Sequence, residues 1–166
     1  MANWGSCDFR QLKEFQDKLQ GIQDAELQRF CTLAAKELAA RLLRLVVPNT
    51  PTGEYPSETG KVGGTLKRGW TGNKSVDPVV YGMSLPVVNL GNAYQIIIIN
   101  PVKYASYVEY GHRQTPGRFV PAIGKRLKKG WVDGEFMLTN AEITLEKNLP
   151  KIIEKKLKNF LEGKLQ

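Results

Sequence analysis

The chain has 166 residues, 42% of them hydrophobic and 24% charged, with 24 Lys and Arg against 16 Asp and Glu for a formal net charge of +8. That length suits a single domain with its own core, and no run reaches the roughly 18–20 apolar residues of a membrane-spanning helix, so no membrane partner is expected. Cys7 and Cys31 are too few for a disulfide framework and lack metal-ligand spacing, and MANWGSCDFRQLKEF lacks the order of a signal peptide; a reducing, cytoplasmic origin is the simplest reading.

Phe9, Leu12, Phe15 and Leu19 recur at spacings of three and four, predicting a short amphipathic helix over 8–20 that Gly21 ends. Asp24 is placed to cap a second helix carrying Leu27, Phe30, Cys31, Ala34, Leu38, Leu42 and Leu45 on one face, closed by Pro48. Cys31 falls within that stripe and reads as core. Residues 48–64 have no apolar period and read as a long loop, a class that usually makes contacts or carries function. VVYGMSL (79–85) and AYQIIII (93–99) are rich in β-branched and aromatic residues, predicting an antiparallel sheet of three or four strands. The unbroken Ile96–Ile99 run implies a strand covered on both faces.

Asn100 and Pro101 suit the cap and first position of a short helix. Tyr104, Tyr107 and Val108 follow at helical spacing and are expected to face the core, with Gly111 as the left-handed exit. Residues 113–134 read as a basic loop: Arg113, Arg118, Lys125, Arg126, Lys128 and Lys129 fall within 113–130, where no acidic residue occurs. From Glu135 the helical period returns through Phe136, Leu138, Ala141, Leu145 and Leu149 to Ile152, Ile153, Leu157, Phe160 and Leu161, with Pro150 expected to kink or restart it. The layout is α+β: a helical part (1–47), a long loop (48–64), sheet and short helix (65–112), a basic loop (113–134) and a C-terminal helix (135–166).

The chemistry-bearing cluster is YASYVEYGHR (104–113), with the only histidine, His112, three residues after Glu109. Nucleophile-elbow, metalloprotease, phosphate-loop and zinc spacings are all absent, so no catalytic residue, cofactor or metal is assigned. Glu109, His112 and Arg113 are expected to hold the following loop or touch a neighbouring subunit. The basic cluster favours polyanions or acidic protein surfaces, and Phe119 or Trp131 could stack on bases, although no nucleic-acid-binding signature is present.

Three segments in order, NTPTG (49–53), GGTLKRGW (63–70, with Gly64, Leu66 and Trp70) and YASYVEYGHR (with Tyr104, Tyr107 and Gly111), resemble the neck or tail-completion family of long-tailed bacteriophages. GRFVPAIGKRLKKGWVDGEFML (117–138) is similar to the stretch that precedes the family's C-terminal helix, apart from a long basic insertion; EYPSETGKV separates the first two segments where the family often runs straight on. The resemblance implies an α+β, non-enzymatic virion protein of the neck or tail end, present in the host cytoplasm during assembly. It further implies a homo-oligomeric ring around the DNA channel that joins head and tail or completes the tail. Its partners would be other neck, head-closure or tail proteins, with non-specific contact to phage DNA. A tail terminator, a basic nucleic-acid-binding module and a small enzyme using His112 are the alternatives.

Overall fold

A computed structural model of the protein describes residues 24–55, 57–60, 62–91, 93–121 and 124–165. The helix expected over 8–20 and Cys7 lie outside the described residues.

Helix α1, Asp24–Asn49, is rich in Ala, Leu and Arg, residues that lose little side-chain freedom in a helix. Asp24, expected as its cap, is already helical. Pro48 lies in the last turn and the chain leaves the helix after Asn49, one residue later than expected. The Thr50 hydroxyl then donates to the Val46 carbonyl at 2.8 Å, giving a partner to one of the acceptors a helix end leaves free. The buried stripe is Ala34, Ala39, Ala40, Leu43 and Val46, rotated from the expected face: Leu27 is exposed, and Phe30, the free Cys31, Leu38, Leu42 and Leu45 are half-buried.

VVYGMSL is a helix, not a strand: α3 spans Pro78–Ser84 and follows the short α2, Thr65–Gly69. Asp77 Oδ1 accepts from the backbone N–H of Val79 at 2.8 Å and of Val80 at 3.2 Å, and Pro78 occupies the first turn. That cap, together with docking on α1, overrides the β-propensity of Val79, Val80 and Tyr81. The crossing is close. A Cβ on Gly82 would stand 2.5 Å from Ala40 Cα, so only glycine allows this approach.

The expected sheet is three separate two-stranded antiparallel ribbons: β1 (Val88–Asn89) with β2 (Tyr94–Gln95), β3 (His112–Arg113) with β6 (Trp131–Val132), and β4 (Phe119–Val120) with β5 (Lys125–Arg126). The first stops early for a local reason. Continuing the Val88–Gln95 register would set Pro86 opposite Ile97, and proline has no N–H to pair. Ile96–Ile99 therefore has no strand partner among the described residues. It is not covered on both faces: Ile96 and Ile98 are half-buried, while Ile97 and Ile99 are 61% and 68% exposed.

Helix α4, Ala105–Tyr110, begins later than expected, and Asn100 does not cap it. Asn100 instead donates from Nδ2 to the Leu66 carbonyl at 2.8 Å and accepts from the Val102 N–H, so it ties two segments together. Helix α5, Met137–Leu165, continues through Pro150 without a break. Pro150 and Glu146 are both exposed, so water can solvate the Glu146 carbonyl that the missing N–H leaves free. Phe136, expected within this helix, precedes it with φ 48° and is exposed.

The core gathers Leu43 and Val46 from α1, Leu66 and Trp70 from the α2 segment, and Met137 and Ala141 from α5, with Ile98, Ala105 and Val108 packed against them. Toward its other end α1 meets α5 again: the Phe30 and Phe160 rings lie 4.8 Å apart, and Glu37 pairs with Lys156.

Candidate contact surface

The first two sequence motifs and the start of the third meet around one small cavity. Thr52, Gly53, Gly63, Gly64, Tyr104 and Val108 help line a space of about 210 Å³. Gly64 occupies the N-cap position of α2. Beside it, the buried Trp70 donates from Nε1 to the Thr50 hydroxyl at 2.8 Å, so Trp70, Thr50 and Val46 form a buried hydrogen-bonded chain. Leu66 and Trp70 are both 4% exposed. Leu66 and Trp70 belong to the core cluster.

The tyrosines expected in the core are not buried there: Tyr104 is 43% and Tyr107 58% exposed, whereas Val108 packs inward as expected, together with Ala105. Gly111 ends α4 at φ 82°, ψ 172°, a conformation essentially reserved to glycine. Its extended ψ leads the chain straight into β3.

Glu109 does not pair with His112. It is 5% exposed, and its carboxylate reaches the start of α5. There it accepts from the Leu138 N–H (2.9 Å), the Thr139 N–H (2.9 Å) and the Thr139 hydroxyl (2.8 Å). Phe136 N also donates to the Glu109 carbonyl at 3.1 Å. A carboxylate at a helix N-terminus supplies acceptors to free N–H groups and negative charge to the positive end of the helix dipole. Glu109 therefore acts as a long-range cap on α5, with partners 29 and 30 residues along the chain. His112 is half-buried with its ring 5.8 Å from that of Tyr107, and its buried Nδ1 has no hydrogen-bond partner. Among the described residues no group of three or more His, Cys, Asp or Glu side chains could hold a metal ion.

The expected basic loop is an antiparallel arm. Beyond β3–β6, Gln114 N donates to Gly130 O, Gly117 N to Leu127 O and Leu127 N to Arg118 O, linking the root pair to β4–β5 near the tip. Arg113 to Phe119 is six steps while their partners Trp131 to Arg126 are five, so one strand carries an extra residue. Gly117, at φ 81°, takes up that bulge. Arg113, Arg118, Lys125, Arg126, Lys128 and Lys129 are all exposed, and none forms an ion pair with a described residue. Arg126 donates to the Gly117 carbonyl at 2.8 Å, which stiffens the arm without neutralising it. Phe119 and Trp131 are about half exposed on the same arm.

A second surface has the opposite character. Val88, Leu90, Ile97 and Ile99 are 47–68% exposed beside the backbone of residues 96–99, which has no partner among the described residues, and none of the four carries charge. The structure thus joins the motif residues, separates Glu109 from His112, and spreads the six cations along one arm. The missed residues had local signals in some cases: Asp77-Pro78 is a helix start, and Ile97 and Ile99 alternate with their inward neighbours once Pro86 ends the pairing.

Compared with protein-family models, residues 13–111 match the HK97-gp10-like family, described as "Bacteriophage HK97-gp10, putative tail-component". The match covers more than half of the chain, and the protein belongs to this family of phage tail components. No curated protein and no solved structure matches it. The matched range stops at Gly111, so the basic arm and α5, including the GRF to FML stretch, lie beyond it.

Proposed function

We propose that the protein is a non-enzymatic structural subunit of the phage neck or tail end, assembling into a homo-oligomeric ring that joins head and tail or completes the tail. The observation that carries this reading is the segment Ile96–Ile99: its backbone groups have no partner among the described residues, and two exposed isoleucines stand beside Val88 and Leu90. An isolated subunit with such an edge is prone to non-specific pairing, whereas a neighbouring subunit would cover it. A ring needs head-to-tail contacts that close on themselves. The basic arm is suited to reach an acidic neighbour or to face DNA in the channel. Glu109, one of the groups that make YASYVEYGHR look like a site, is used as a helix cap.

Electron micrographs of particles made without this protein test the assignment. Separate filled heads and tails place it at the joint, whereas overlong or unfinished tails make it a terminator. Normal particles refute the structural role. Charge reversal of Lys125, Arg126, Lys128 and Lys129 is expected to impair particle joining or DNA retention; intact assembly would remove the arm from the contact surface. A nucleic-acid-binding role is the second reading, favoured by the unneutralised arm with its exposed Phe119 and Trp131. Salt-dependent binding of short DNA by the isolated monomer would support it.

A further inference from the structure

Away from the arm and the Ile96–Ile99 segment, α1, α3 and α5 enclose a groove of about 870 Å³. Leu45, Met83, Leu145 and Ile152 contribute an apolar lining. Five cations also line it, Arg41 and Arg44 from α1 and Lys151, Lys155 and Lys156 from α5, against one carboxylate, Glu37. That carboxylate is already engaged, accepting from Arg41 at 2.7 Å and pairing with Lys156. Partial burial pushes the Glu37 carboxyl up, but the hydrogen bonds and charges of Lys156 and Arg41 outweigh this and hold it below the usual carboxylate range. Arg44, Lys151 and Lys155 have no ion-pair partner among the described residues. The acidic residues Glu142, Glu146 and Glu154 of α5 do not line the groove.

We propose that this groove docks an acidic amphipathic helix of another protein. The α5 wall from Thr144 to Asn159 is about 22 Å long, room for a helix of about fifteen residues. The cations select a negatively charged flank, and the apolar lining selects a hydrophobic face, the two halves of helix-in-groove recognition. Met83, 38% exposed and unbranched, is suited to adapt to the side chains that enter. A nucleic acid would satisfy the cations but gain nothing from Leu45, Leu145 and Ile152, and among the described residues no aromatic ring lines the groove for base stacking. The occupant is assigned to another protein because residues 1–23 of this chain carry three acidic and three basic residues and so have no charge preference for the site.

The test uses the full chain and a fluorescein-labelled helical peptide of about fifteen residues, with leucines on one face and glutamates flanking them, read by fluorescence anisotropy. Binding is expected, weakening as salt rises and by at least about tenfold in the Arg44→Glu/Lys151→Glu/Lys155→Glu variant. Met83→Glu is expected to weaken it too, whereas Lys125→Glu/Lys128→Glu on the arm leaves it intact. Circular dichroism melts establish that each variant is folded. No binding at about 0.1 mM peptide, equal binding by the groove variants, or equal binding of a glutamine-for-glutamate peptide overturns the proposal. So does duplex DNA that displaces the peptide and loses affinity in the same groove variants, because the groove would then be a phosphate site.

Discussion

Replacing Glu109 with alanine tests whether the most chemistry-like side chain of YASYVEYGHR is structural. The carboxylate serves two backbone N–H groups and one hydroxyl at the start of α5, at 2.8–2.9 Å, from a position that is 5% exposed. Loss of a helix cap costs about 1–2 kcal/mol. The lost charge at the positive end of the helix adds ~0.3–1 kcal/mol, and the Thr139 hydroxyl left without its acceptor adds about 1 kcal/mol. The terms overlap, so Glu109→Ala is expected to cost on the order of 3 kcal/mol, lowering Tm by about 6–12 °C for a chain of this size. Glu109→Gln keeps one acceptor oxygen but turns an NH2 toward the other N–H group, so about 1–2 kcal/mol is expected. Urea unfolding followed by circular dichroism measures both, with an unchanged m-value indicating the same unfolding transition. Thr139→Val should be non-additive with Glu109→Ala, because the two side chains share one hydrogen bond. An alanine variant within about 0.5 kcal/mol of wild type would refute the capping argument and reopen a functional role for this carboxylate.

Gly82→Ala should cost about 1–3 kcal/mol, because the new methyl meets the Ala40 backbone. Gly163→Ala, in open space on α5, should gain up to about 1 kcal/mol; equal effects in thermal melts would refute the close α1–α3 crossing. Trp70→Phe should cost about 2 kcal/mol, because it removes the hydrogen bond to Thr50 and some buried ring volume; a silent substitution would refute the buried chain. Glu37 has a folded pKa below its ordinary 4.5, so its ionised form stabilises the fold above that value and the contribution is lost as pH falls through the lowered folded pKa. The stability difference between wild type and Glu37→Gln, measured by urea unfolding across pH, should shrink on acidification; a pH-independent difference would refute the coupling to Lys156 and Arg41.

The two long helices were legible because a 3.6-residue period survives over 26 and 29 residues, long enough to outweigh single breakers such as Pro150. The α+β class, the short helix at 105–110 and the Gly111 turn were legible for similar local reasons. The strand expected at VVYGMSL failed because composition was weighed above the Asp77-Pro78 start signal. Glu109 could not have been read as a cap, since its partners lie 29 and 30 residues away, a separation that no local period carries. Pro116, Gly117, Pro121 and Gly124 made the arm look irregular. They occupy its bulge and tip, while Gln114, Leu127 and Gly130 carry hydrogen bonds that pair the strands.

This division of labour separates what holds the fold from what the molecule presents. Trp70, Leu66, Glu109 and Gly111 each satisfy a requirement inside the subunit: a buried donor, an apolar contact, a helix end, a positive-φ turn. All four lie in the two longer motifs, and all four fall within the family match. The exposed cations of the arm and of the α5 wall lie beyond residue 111, and Arg44 of α1, without an ion-pair partner among the described residues, adds to the groove from within the match. A subunit built this way can keep one internal frame while its charged surfaces fit different neighbours, because changing Lys128 or Lys155 removes no buried hydrogen bond and opens no cavity. Substitutions at the unpaired cations of the arm and groove should therefore alter association while leaving stability nearly unchanged, and substitutions in the motifs should do the reverse. A groove variant that lost both together would show that the two parts are not separable.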